Sequence, residues 1–135
     1  MSQIDHLGIA VKSLDAAKQF YEKLGLKPMP VETVEAEQVR LSMVPVGESR
    51  IELLEPTSEN SAIAKFLAKR GEGLHHVALH VDNLTETVER LKAGGTRLIS
   101  DDIKVGAGGH LYVFVHPSSA GGVLLELVED APKGV

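Results

Sequence analysis

At 135 residues the chain has room for one domain of ordinary size, or for two very small halves sharing a core, and none for a separate regulatory module. Hydrophobic residues make up 43% and charged residues 24%, and the absence of cysteine excludes disulfides, thiolate metal sites and cysteine nucleophiles. The 14 basic and 19 acidic residues give a formal charge of -5 with no basic cluster, and two tyrosines and three phenylalanines are too few for a single-strand stacking surface, so nucleic acid is not the expected partner.

No apolar run approaches the roughly 20 residues of a membrane-spanning helix. Met1, Ser2 and Gln3 lead straight into an apolar alternation, so no leader is expected and the cytoplasm is the default location. In that alternation Leu7, Ile9 and Val11 share one parity and His6 takes the other, which predicts a strand over residues 4–11. Ser13 is a suitable N-cap for a helix whose apolar stripe is Leu14, Ala17, Phe20, Tyr21 and Leu24, closed by Gly25. A strand is expected near 30–34, and strands at 39–44 and 50–55 flank Val46-Gly47-Glu48-Ser49 as a hairpin. Residues 61–70 read as a short amphipathic helix, with Ala62, Ile63, Phe66 and Leu67, broken by Gly71 and Gly73.

The pattern then recurs. Val77, Leu79 and Val81 alternate with His76 on the other parity, and Asn83 caps a helix carrying Leu84, Val88 and Leu91 up to Gly94. A strand is expected at 96–99, and strands at 111–116 and 123–128 flank a longer turn, Pro117 to Gly122. Residues 4–25 overlay residues 74–95 at an offset of 70, pairing His6 with His76, Leu14 with Leu84 and Gly25 with Gly95. RIELLEP at 50–56 matches LLELVED at 124–130 and pairs Glu52 with Glu126. The expected fold is α+β: two β-α-β-β-β modules, about 1–56 and 74–130, linked by the helix at 61–70 in a single domain of residues 1–135.

Two imidazoles and two carboxylates at matching places in two copies form an N2O2 set. It balances the charge of a divalent cation, suits zinc, cobalt, nickel or manganese, and leaves positions open for a substrate. A lone histidine at a strand start is ordinarily hydrogen-bonded or partly exposed, and a carboxylate in an apolar strand is costly unless it faces water or a cation. The coincidence of all four favours a metal. His75 should face away from His76, His80 shares the parity of His76, and His110 and His116 flank a strand as peripheral residues. Gly106-Ala107-Gly108-Gly109 superficially resembles a phosphate loop but is followed by a strand, and no Gly-x-Ser-x-Gly elbow is present.

These residues resemble the vicinal oxygen chelate superfamily, and within it the chain is similar to the methylmalonyl-CoA epimerase family. The similar segments are residues 4–11, 51–83, 105–109 and 116–129, nearly the whole chain. The resemblance implies that the two modules pair into a cupped mixed sheet around a metal. It makes His6, His76 and Glu126 ligands, with Glu52 at a fourth position held by glutamine or glutamate in relatives. The implied cofactor is a divalent ion (Co, Mn, Zn, Ni or Mg), and the implied assembly is a homodimer.

The implied activity is interconversion of (2R)- and (2S)-methylmalonyl-CoA by removal and return of the proton beside the thioester. Glu126 and Glu52 are the candidate catalytic carboxylates, and Gly106, Gly108 and Gly109 the candidate substrate contacts. Several relatives carry a second catalytic glutamate on the strand that here holds Leu41, so either Glu52 or a water serves there, or Glu37 or Glu35 reaches in, or the chain acts on another substrate. The competing expectations are a glyoxalase I, which would use a similar metal site, a metal-free binding protein of the same fold, and an extradiol dioxygenase, for which Glu52 would be surplus.

Overall fold

The computed structural model describes residues 3–131. Met1 and Ser2, on which the expectation about a leader partly rests, and the ends of the expected domain span lie outside the described residues. The chain divides into two compact units, one of residues 6–75 and one of residues 76–131 with residues 3–5.

The first unit holds β1 (Gln3–Ala10) from His6 onward, followed by α1 (Leu14–Lys23), β2 (Glu32–Val34), β3 (Val39–Val46), β4 (Ser49–Pro56) and α2 (Ala62–Arg70). The strands lie in the order β2-β3-β4-β1, with β1 parallel to β4 and the other neighbours antiparallel. The β3–β4 hairpin closes through Gly47 and Glu48, and Gly47 at φ 58° takes the left-handed conformation that two-residue hairpin loops require. Ile9, Val11, Val44 and Leu53 pack against Leu14, Ala17 and Tyr21 of α1. The opposite face carries Ala10, Val39, Leu41 and Leu54, covered by Ile63, Phe66 and Leu67 of α2.

The second unit repeats the plan. β5 (Gly73–His80) leads to α3 (Leu84–Ala93), then β6 (Lys104–Val105), β7 (Leu111–Val115) and β8 (Leu125–Glu129). The order β5-β8-β7-β6 again sets one parallel pair, β5 with β8, beside antiparallel neighbours. Val81, Val113, Val115 and Leu127 pack on Leu84 and Val88 of α3. The repeated β-α-β-β-β order confirms the α+β fold read from the sequence.

The helix starts are capped as their sequences require. Ser13 Oγ accepts from the amide of Ala16, Ser61 Oγ from that of Ala64, and Asn83 Oδ1 from that of Glu86. A second device appears in both units. Glu55 Oε2 accepts from the Leu14 amide at 2.7 Å, and the repeat-equivalent Glu129 Oε1 accepts from the Leu84 amide at 2.7 Å, tying the end of each last strand to the start of its helix.

One expected strand is absent. Residues 96–99 make only an isolated bridge, Leu98 to Val115, and the edge strand of the second unit forms later at Lys104–Val105. Only Leu98 of that stretch packs on the core, while Ile99 is 54% exposed, so the segment has one buried anchor instead of an alternating face. The expected strand at 30–34 shortens to Glu32–Val34. It begins after Pro30, which has no amide proton to give a ladder.

Candidate metal centre

The parity that sends Ile9 and Leu53 to α1 sends His6 and Glu52 to the other face of the first unit's strands. β1 and β4 run in register with His6 opposite Arg50 and Gly8 opposite Glu52, so the imidazole and the carboxylate are diagonal neighbours on one face. His6 Nε2 lies 3.5 Å from Glu52 Oε1, with the two side chains 5% and 12% exposed. The second unit builds the same pair: Ala78 stands opposite Glu126, and His76 Nε2 lies 3.3 Å from Glu126 Oε1.

Among the described residues the buried polar side chains are His6, Ser42, Ser61, His76 and Glu126. The two serines have structural work. Ser42 donates to the Met29 carbonyl at 2.8 Å, and Ser61 caps α2. His6, His76 and Glu126 are the buried groups that could bind a metal. Two nitrogen or oxygen ligands each 2.0–2.2 Å from one ion, at tetrahedral to octahedral angles, stand about 2.8–3.6 Å apart. The separations of 3.5 Å and 3.3 Å fall in that range and exceed the roughly 2.7–2.9 Å of a charge-assisted hydrogen bond, so each pair is spaced as two ligands of one divalent ion would be, while the group that could hold an ion is His6, His76 and Glu126 without Glu52.

The surroundings of the second pair are aromatic. Phe114, opposite Glu126 on β7, meets the His76 ring edge-on at 5.7 Å between centroids, and Tyr112 meets Phe114 at 5.9 Å. Phe114 escaped notice in the sequence because it reads as one more apolar strand residue. Its parity with Glu126 across the β7–β8 ladder was the available signal.

The remaining candidates fall apart from these pairs. His75 packs edge-on against Phe66 of α2 at 5.1 Å, so its ring is engaged with that helix. His116 Nδ1 accepts from the Ser118 amide in the turn after β7, and His110 stacks beside Tyr112. A side chain at Gly106 would have to displace the His110 ring, which occupies the place of a Cβ there. Gly108 at φ 70° and Gly109 at φ 83° need the left-handed conformation. Leu41 is 7% exposed within the apolar cluster under α2, and Glu35 and Glu37 lie in the exposed turn before β3. A groove of about 540 Å³ on the first unit is lined by Ile9, Val11, Ala16, Phe20 and Leu53, the helix-side parity, and does not include His6 or Glu52.

A model of the glyoxalase/bleomycin resistance protein/dioxygenase superfamily matches residues 5–114. The chain is similar to the uncharacterized protein YqjC of Bacillus subtilis (strain 168), 40% identical over 99% of this chain and 95% of that protein. It is 37% identical to the mitochondrial methylmalonyl-CoA epimerase of Bos taurus over 94% of this chain and 74% of the relative. A solved structure of Streptomyces coelicolor methylmalonyl-CoA epimerase, a Glu-to-Leu variant in complex with 2-nitronate-propionyl-CoA, matches with a TM-score of 0.90 at 39% identity, over 96% of this chain and 94% of that one.

Proposed function

The chain belongs to the glyoxalase/bleomycin resistance protein/dioxygenase superfamily and, within it, to the methylmalonyl-CoA epimerase family, and on that premise we propose that it interconverts (2R)- and (2S)-methylmalonyl-CoA with a divalent metal ion. The observation that carries this reading is the repeated pair, a buried histidine nitrogen 3.3–3.5 Å from a glutamate oxygen at the same place in each unit. A binding protein that needs no metal has no use for two such pairs. A glyoxalase I would use a similar donor set, and the full-length similarity to epimerases favours the CoA thioester.

His6, Glu52, His76 and Glu126 would hold the ion, with the two modules paired in one domain around it. The ion supplies a Lewis acid against the negative charge that develops on the thioester oxygen when the neighbouring C–H bond ionises. Glu126 takes and returns that proton on one face of the carbon: a carboxylate has two oxygens, and one suffices for the ion. Phe114 against His76 keeps water from the side of the pair, which strengthens every charge interaction within it. The glycines at 106, 108 and 109 belong to the substrate side of the proposal, where three residues without side chains would let backbone amides approach the acyl-CoA.

No helix among the described residues is long and apolar enough to cross a membrane. A cytoplasmic location and a homodimer are part of the same proposal, the latter supported by Phe20 on α1 and Leu24 at its C-terminal cap, which are 56% and 60% exposed. The test is a substrate panel, methylmalonyl-CoA against the glutathione hemithioacetal of methylglyoxal, each with and without added metal. Epimerisation of the CoA ester alone, dependent on metal, is the expected result; turnover of the hemithioacetal alone would replace this reading with a glyoxalase.

A further inference from the structure

Inversion at carbon needs a proton group on each of two faces, and the strand that carries a second glutamate in some relatives has Leu41 here, packed with Ala10, Leu54 and Ile63. We propose that His80, held by Asp130, is the second proton-transfer group, acting on the face of the substrate carbon that Glu126 does not serve. The assignment rests on the epimerase reading.

His80 is the next residue but one after Ala78 on β5, so its side chain leaves the strand on the face of His76. Parallel pairing puts Ala78 opposite Glu126 and His80 opposite Val128, which places the Cα atoms of His80 and Glu126 on one diagonal, roughly 8 Å apart for a parallel pair. Two side chains on that spacing can flank a single carbon. His80 Nε2 lies 3.2 Å from Asp130 Oδ2, and the imidazole is 18% exposed. The Asp130 carboxylate is 83% exposed, so its contact orients the ring weakly, favouring the proton on Nε2 and leaving Nδ1 to exchange the proton.

Comparing the modules shows that this level has been built differently in the two copies. In the first unit Ala10 and Leu54 pair across β1 and β4, with Leu41 beyond on β3. In the second, His80 and Val128 pair across β5 and β8, with Tyr112 beyond on β7. One copy is apolar and roofed by α2; the other offers an imidazole, a carboxylate and a phenol. A symmetric ligand set with one such asymmetric step matches a reaction whose two faces must be served by different groups.

The step balances without any further reactant. Glu126 accepts the proton from the carbon, the C–H electron pair moves into the thioester carbonyl, and protonated His80 delivers its proton to the opposite face as that pair returns. Glu126 is then protonated and His80 neutral, and turnover in the reverse direction or exchange with water restores the starting state.

The test is His80→Asn, loaded with metal, with each epimer of methylmalonyl-CoA followed separately in deuterated water. Epimerisation should fall by roughly 100-fold or more. One epimer should still exchange its proton with retention of configuration, within about threefold of the wild-type rate, because Glu126 alone suffices for it; exchange of the other should fall with epimerisation. Bound metal and the urea unfolding midpoint should match wild type, and His80→Gln should behave alike. Epimerisation at the wild-type rate would overturn the assignment in favour of Glu52 or a water. Loss of exchange from both epimers together would also overturn it, since His80 would then support the site as a whole. If the wild type exchanges neither epimer, the epimerase reading itself falls and this assignment with it.

Discussion

Glu126 combines two demands that are separable by substitution. Glu126→Gln keeps an oxygen that can face the ion but removes the basic carboxylate, so bound metal should persist while epimerisation is lost and solvent deuterium ceases to enter the epimer that Glu126 deprotonates. Metal analysis beside the exchange assay checks both. At Leu41 the expectation is opposite to that suggested by relatives. The side chain is buried with Ala10, Leu54 and Ile63, so Leu41→Glu should cost about 3 kcal/mol at neutral pH from lost packing and a desolvated carboxylate. Burial raises the folded-state pKa of such a group above its unfolded value, so the loss should be small where the unfolded chain is also protonated and grow as the pH rises toward neutrality. Urea midpoints at pH 4 and pH 8, each against wild type, measure it. With His80 serving the second face, the substitution should bring no gain in epimerisation rate. All four proposed ligands were legible in the sequence because each occurs twice, at matching positions. His80 was legible only as a face, since its partner Asp130 lies 50 residues away and no spacing announces it.

The elements were readable from periodicity because the long strands bury one parity against a helix, and each α-helix begins at a residue able to cap it. The strand at 96–99 was misread for a physical reason: Leu98 and Ile99 are adjacent and so face opposite sides, and only Leu98 finds a core to join. Glu55 and Glu129 were also missed. They sit in the aligned segments 50–56 and 124–130 beside the residues that drew attention, and their role emerges only when the last strand lies against the first helix turn. Because each carboxylate satisfies an otherwise orphaned helix amide, Glu129→Ala should destabilise the protein by about 1–2 kcal/mol, and Glu55→Ala by a similar amount that includes the lost contact to Arg40 at 3.1 Å. Thermal unfolding with saturating metal reads this, and the rate per folded molecule should change little. Gly106→Ala should instead displace the His110 ring, whose chemical shifts would report the change.

For the molecule as a whole, a metal bound by groups from both sequence repeats links stability to the ion. A ligand at 100 times its dissociation constant adds about 2.7 kcal/mol to a protein that binds it only when folded. Metal should therefore raise the melting temperature and chelation reverse the gain. Substituting His6 or His76 alone should blunt the shift, because each is one of the three buried groups that could bind the metal. The proposed role of the paired histidines and glutamates is proton exchange beside a thioester. The most direct measurement incubates (2S)-methylmalonyl-CoA with the metal-loaded protein in deuterated water and follows both deuterium at the second carbon and the ratio of epimers. Deuterium uptake accompanied by approach to an equal mixture, both abolished by chelation and restored by metal, is the predicted result. A substrate that keeps its proton and its configuration in the presence of metal-loaded protein would contradict the account.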